Sequence, residues 1–298
     1  MIDSKQVDTE SHTPVLLKEA MFYLNIQKNG IYLDGTVGLG GHSLSILKDL
    51  SKNGRLIGFD RDSDALKICN RKLSQQKNAF TLTHNSYHKI TEVLKELGVG
   101  LVDGILLDLG LSSFQLNSAE RGFNSTINSN LDMRFDKSQK RTAKDFLNHL
   151  GVVELANLIY KYGDERRSRI IAKNIEKIRP INKVHELLEA IRRSTPPKNR
   201  QKTVSRVFQA LRIAVNDELG KLENFLTSFH SNLKIGGKIV IISFHSLEDR
   251  LVKHAFKSLE KSKVIKVLTK KPITPSKAEI DANRRSRSSK MRVAERVL

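Results

Sequence analysis

Tryptophan is absent from the 298 residues, aromatic residues make up only 6%, and there is a single cysteine. With so few aromatic rings, a carbohydrate or peptide groove lined by them is not expected. A lone Cys69 excludes an intrachain disulfide framework and a CxxC metal site. Inside a helix-like segment it reads as a small buried apolar residue. No apolar run approaches the ~18 residues of a membrane span. The opening MIDSKQVDTESHTP is polar and carries no apolar signal core, so a cytoplasmic protein with a flexible segment over 1–11 is expected.

Positive charge, by contrast, is abundant. Lys and Arg number 52 against 32 Asp and Glu, a formal net charge of +20. Such a surplus favours a polyanionic partner, nucleic acid first and an anionic membrane second. Hydrophobic residues at 39% are enough for a large core, in one large domain or two ordinary ones.

Five strand candidates stand out: Ile31–Thr36, Arg55–Asp60, Phe80–Ser86, Val102–Gly110 and Gly237–Phe244. Their apolar runs lack strict alternation, as in strands covered on both faces. Helical runs at Ser43–Leu50, Ser63–Leu73 and Ile90–Leu97 alternate with them. The pattern predicts an α/β fold with a mostly parallel, doubly wound sheet. From Gln115 to Asn216 only helical candidates appear: Ala143–Leu150, Val152–Tyr160, Ser168–Lys177, Lys183–Arg193 and Arg206–Val215. That stretch is far longer than an ordinary crossover. The expected organisation is a discontinuous domain, 12–115 with 216–298, interrupted by a helical domain, 116–215, that recognises the substrate.

The insertion is basic. From Lys161 to Arg206 there are 14 Lys or Arg and 5 Asp or Glu. Arg166 and Arg167, then Arg192, Arg193, Lys198 and Arg200 in RRSTPPKNRQK, are candidate RNA contacts; a set of solvated helix faces is the alternative. Arg134, and Arg285 and Arg287 in the basic tail NRRSRSSKMR, complete the candidates.

The stretch LDGTVGLGGHSLSIL, Leu33–Leu47, runs from a strand through four glycines into a helix. Its spacing is not the GxGxxG of dinucleotide dehydrogenases. Asp34 precedes the first glycine, where a carboxylate repels a pyrophosphate but suits a cationic ligand. S-adenosylmethionine is such a ligand, and Gly38, Gly40 and Gly41 let the backbone approach it closely. The second strand ends in Asp60, 22 residues beyond Gly38. It is a candidate acceptor for ribose hydroxyls, although DRDSD also reads as a helix cap. The fourth strand ends in LLDLGLSS. Parallel sheets place ligands beyond the carboxyl ends of their strands, so Asp108, Ser112 and Ser113 should face the site.

In order along the chain come HTPVLLKEAM, DGTVGLGGHS, DGILLDLGLSSFQL, ERGFN, LDMRFD, FQALRIAVNDEL, IISFHSLEDRLVK and RSRSSKMRVAER. Together they resemble the MraW family of ribosomal small-subunit RNA methyltransferases, from about His12 to Arg296. The resemblance implies a class I (Rossmann-like) methyltransferase with an inserted all-helical subdomain. It implies methyl transfer from S-adenosylmethionine to the exocyclic N4 of a cytidine in the decoding centre of 16S rRNA, within the small ribosomal subunit. It maps cofactor binding onto Gly40, Gly41, His42, Asp60, Tyr87, Asp108 and Gln115. Val37 and Tyr87 stand where phenylalanine is more usual, and Phe114 where proline is.

A cytosine amino nitrogen is a poor nucleophile, so positioning and acceptors for its hydrogens matter most. The (D/N)PP(Y/F) motif of many amino-methyltransferases is replaced by DLGL. Asp108, assisted by Ser112 or Ser113, is one candidate acceptor. His245 in SFHSLEDR is another, unless it only opens a helix whose Ser246 and Asp249 form a capping pair. Phe114, Phe135 and Phe244 are candidates to stack on the base or to join the core. The scattered histidines show no ligand spacing, so no metal is expected. The residues by themselves leave open a dehydrogenase, a silent RNA-binding factor, and a methyltransferase acting on another nucleic acid or a small molecule. A homodimer is also left open.

Overall fold

The computed structural model describes residues 14–298; the segment 1–11, expected to be flexible, lies outside them. The chain divides into two compact units. One runs to Gly110 and resumes at Lys221 through Leu298; the other is Leu111–Gly220.

The first unit is built on one sheet. Five strands form as the sequence predicts: β1 (Ile31–Asp34), β2 (Arg55–Asp60), β3 (Ala79–His84), β4 (Val102–Asp108) and β5 (Leu233–Ser243). They pair in parallel. Two more, β6 (Ile265–Val267) and β7 (Lys290–Arg296), were not legible. The order is β3-β2-β1-β4-β5-β7-β6, with β7 antiparallel to both neighbours. This is the α/β, class I sheet that the sequence predicts.

Alternate side chains of the central strands serve two cores, as the two-residue strand period requires. Leu33, Ile57, Ile105, Leu107, Ile239 and Ile241 pack with Phe225 and Phe256 on one face. Tyr32, Leu56, Leu106, Val240 and Ile242 pack with Ile46, Leu47, Cys69 and Leu73 on the other. Both faces are covered, which is why these strands lack polar alternation. Cys69 is buried, and burial pushes its thiol up to about 12. It is therefore an inert core residue at neutral pH.

The strand β7 explains the tail motif. Asp249, on the helix Ser246–Lys261, accepts from Arg292 at 2.7 Å and from Lys290 at 3.2 Å. Arg292 is buried. Part of the basic tail is thus internal scaffolding, while Arg285 and Arg287 are exposed on the short turn Arg284–Ser288.

The second unit is helical and holds no strand. Its main helices are Ala143–His149, Val152–Gly163, Ser168–Ile178, Val184–Ser194 and Arg200–Asn216. Leu147, Leu155, Ile159, Ile171, Leu187, Val207 and Leu211 form its core. Two distant motifs meet at Asn216, which is fully buried. Its Nδ2 donates to Met133 O at 2.7 Å, and its Oδ1 accepts from Phe135 N at 2.7 Å. One amide thus reads the backbone of LDMRFD from the end of FQALRIAVNDEL. An aspartate or leucine there would leave a buried backbone group unpaired.

Candidate functional site

The glycine loop joins β1 to the helix Gly41–Asp49. It is held tightly against the ends of its neighbours. Gly35 N donates to Leu106 O at 2.9 Å, and Val37 N to Phe59 O at 3.0 Å. A Cβ on Gly35 would lie 2.2 Å from a Leu107 methyl. Gly40 has φ 77°, and a Cβ there would lie 2.7 Å from Cys69 Sγ. Only glycine meets both demands at this helix start.

Three carboxylates close the carboxyl ends of adjacent strands. Asp34 ends β1 and is buried; its Oδ2 accepts from Ser43 Oγ at 2.6 Å and its Oδ1 from Thr36 N at 3.1 Å. It thus ties the strand end to the following helix. Burial, and then the Asp60 charge, raise its pKa to about 6, against the hydrogen bonds that lower it. Asp60 ends β2. Its Oδ2 accepts from Gly38 N at 2.7 Å and its Oδ1 from Asp62 N at 2.9 Å. The Arg61 backbone N–H donates to the same carboxylate; of about four lone-pair positions, that leaves room for a hydroxyl donor. The cap reading of DRDSD falls on Asp62 instead, which accepts from Asp64 N and Ala65 N.

Asp108 ends β4. Its backbone N–H donates to Thr36 Oγ1 at 2.6 Å. Its Oδ2 lies 3.6 Å from His42 Nδ1, while its Oδ1 is buried without a hydrogen-bond partner. Burial, then the charges of Asp34 and Glu248, push the carboxyl well above the usual range. His42 is buried, with Nε2 3.1 Å from Val15 O. A carbonyl can only accept, so Nε2 carries a proton. Among the described residues, no Lys or Arg pairs with Asp34, Asp60 or Asp108. The loop therefore presents backbone and carboxyl groups that a cation would ionise, which suits a cationic ligand and opposes a pyrophosphate.

Other predicted positions have structural duties. Tyr87 is buried, its ring set edge-on to Phe225 at 5.5 Å. His245 caps the helix Ser246–Lys261: its Nδ1 accepts from Glu248 N at 3.4 Å, and Glu248 Oε2 accepts from Phe244 N and His245 N. The expected Ser246–Asp249 pair is not the cap. The capping role of Glu248 was not legible, because capping boxes are sought behind Ser or Thr, not His. Thr36 was missed too, though its place in DGTVG offered a signal. Phe244 is half-buried against the second sheet core.

In the second unit, Ser112 Oγ accepts from Gln115 N at 3.2 Å and Ser112 N donates to Gln115 Oε1 at 3.1 Å. This capping box opens the short helix Ser113–Asn117. Gln115 is buried and Ser113 half-buried. Phe135 belongs to the helical core, and Phe114 lies under the Arg121 guanidinium at 6.0 Å.

The basic candidates differ in freedom. Arg134 grips Asp132 through two 2.8 Å bonds and donates to Lys137 O and Gln139 O, so it braces its own loop. Arg167 donates to Ser194 O at 3.2 Å and Arg200 to Thr195 O at 3.2 Å. Arg166 and Lys198 are exposed. Arg192 and Arg193 are exposed and share Glu189, whose carboxyl they hold down to about 2. Exposed pairs of this kind are worth little to stability.

The profile of the MraW methylase family matches residues 9–297. The chain is 47% identical to ribosomal RNA small subunit methyltransferase H of Thermosipho africanus, covering 97% of this chain and 98% of that one. It is 47% identical to the protein of that name from Trichormus variabilis, covering 97% and 92%. Among solved structures, an rRNA methylase from Streptococcus thermophilus is similar with a TM-score of 0.45 at 12% identity, covering 96% of this chain and 99% of that one.

Proposed function

The chain belongs to the MraW methylase family, and we propose that it transfers a methyl group from S-adenosylmethionine to the N4 amino group of a cytidine in the decoding centre of 16S rRNA. The observation that carries the cofactor assignment is the glycine loop ringed by Asp34, Asp60 and Asp108, with no Lys or Arg paired to them among the described residues. Bound there, S-adenosylmethionine supplies an activated methyl group. Asp60 accepts from a ribose hydroxyl on the acceptor position its backbone bonds leave. Gly38, Gly40 and Gly41 allow close backbone approach, and Asp34 braces the loop rather than touching the ligand. Ser112 and the Nδ1 of His245 act in helix caps, and Asp108, with its unpartnered Oδ1, is the group we assign to the reaction. The name shared by the relatives supports rRNA as the substrate, as do the net charge of +20 and the exposed basic residues of the helical unit. We assign that unit to substrate recognition.

Calorimetric titration of the purified protein tests the cofactor assignment. S-adenosylmethionine should bind at micromolar concentration and NAD should give no heat. Saturable NAD binding with no response to S-adenosylmethionine would sink the reading in favour of a dehydrogenase.

A further inference from the structure

The Asp108 oxygen without a partner asks for a counterpart. The groups that face this carboxyl come from three elements: Asp34 at the end of β1, His42 from the helix Gly41–Asp49, and Glu248 from the helix Ser246–Lys261. Two of the three are acidic. The third, His42, lies 3.6 Å from Oδ2, beyond a hydrogen bond, while its Nε2 is turned to Val15 O. Buried Oδ1 accepts from nothing. The Asp108 side chain keeps 24% of its surface exposed, yet with Oδ1 buried and two acids beside it the ionised form gains from an arriving cation.

The methyl donor and its demethylated product differ at one charge. Both carry the ammonium, the carboxylate and the ribose. Only the donor carries a sulfonium; the sulfur of the product, S-adenosylhomocysteine, is neutral. From this geometry we infer that Asp108 discriminates donor from product by exchanging one proton with the ligand's charge, ionised beside a cationic sulfur and protonated beside a neutral one. The inference rests on the S-adenosylmethionine reading above and adds a residue that sets preference between the two ligands. Loss of methyl from the ligand and loss of one proton from the amino nitrogen then leave the pocket with a carboxyl ready to take one proton up.

The sign follows from linkage. Burial favours the protonated carboxyl in the free protein, so a cation that ionises it must expel a proton. Donor affinity should therefore rise with pH, by up to about tenfold per unit below the carboxyl's titration. Product affinity should stay nearly flat there.

Calorimetry at a series of pH values spanning the carboxyl's titration, each in two buffers of different ionisation heat, counts the protons released with each ligand. Where the free carboxyl is protonated, the wild-type protein should release up to about one more proton with S-adenosylmethionine than with S-adenosylhomocysteine. In Asp108→Asn that difference should vanish, together with the pH slope of donor affinity; Asp108→Ser serves if the amide variant does not fold. Equal proton counts for the two ligands on the wild-type protein would overturn the inference while leaving the cofactor assignment standing. A difference that survives in a folded Asp108 variant would also overturn it, by moving the proton to Asp34 or His42. If neither ligand binds, both readings fall.

Discussion

Replacing Arg166, Arg192, Arg193 and Lys198 together with glutamine should weaken binding to small-subunit rRNA on the order of a hundredfold near 0.15 M salt. Each phosphate neutralised by a basic side chain releases condensed counterions. On single-stranded RNA, four lost contacts should make the slope of log affinity against log salt shallower by about 3. The choice of the four follows from the structure. Arg167 and Arg200 donate to carbonyls inside the helical unit, so removing them would disturb the fold. Arg192 and Arg193 release only Glu189, a half-exposed partner that water still reaches. The melting temperature and the affinity for S-adenosylmethionine should therefore stay close to wild type. Filter binding across a salt series reads the outcome. An unchanged slope would make these residues a solvated helix face and send the search to Arg285 and Arg287.

The second large effect is expected at Asp60. Asp60→Ala should weaken S-adenosylmethionine binding by roughly ten- to a hundredfold, the worth of about 1.5–3 kcal/mol for hydrogen bonds to a charged acceptor. Part of that loss arrives indirectly, because the same carboxylate accepts from Gly38 N and Asp62 N and so shapes the loop. Asp60→Asn separates the two contributions: it keeps one acceptor oxygen and the loop's shape but loses the charge. An intermediate loss in Asp60→Asn supports direct contact with the ligand. Wild-type affinity in a folded Asp60→Ala protein would remove Asp60 from the site.

The parts of the fold that could be read from the chain are those where burial dictates composition. β1, β2 and β4 are covered on both faces, so their sequences are nearly continuous apolar runs. β6 spans only Ile265–Val267, too short to show a period. β7 carries Lys290 and Arg292, whose charges are satisfied by Asp249 on a helix some forty residues earlier. Locally it looks like a basic tail; only the tertiary contact makes it a strand. The site divides in the same way. Asp60 and Asp108 could be picked out because strand ends are the places where such sheets bind ligands. His245 and Ser112 looked equally chemical, yet Ser112 Oγ and His245 Nδ1 face neighbouring backbone at helix starts. Asp34 was legible as a carboxylate beside the loop, but its internal bonds to Ser43 and Thr36 were not. Residue type and spacing do not say which side of a carboxylate faces its own chain.

The central claim is methyl transfer to one cytidine amino nitrogen of small-subunit rRNA. The most direct test incubates the purified protein with methyl-labelled S-adenosylmethionine and small ribosomal subunits lacking the modification. The RNA is then digested to nucleosides and the products are resolved by mass spectrometry. The account predicts label in N4-methylcytidine alone, in about one nucleoside per 16S rRNA, mapping to the decoding centre. Label in another nucleoside, label at many sites, or no transfer by a protein that binds the methyl donor would contradict it.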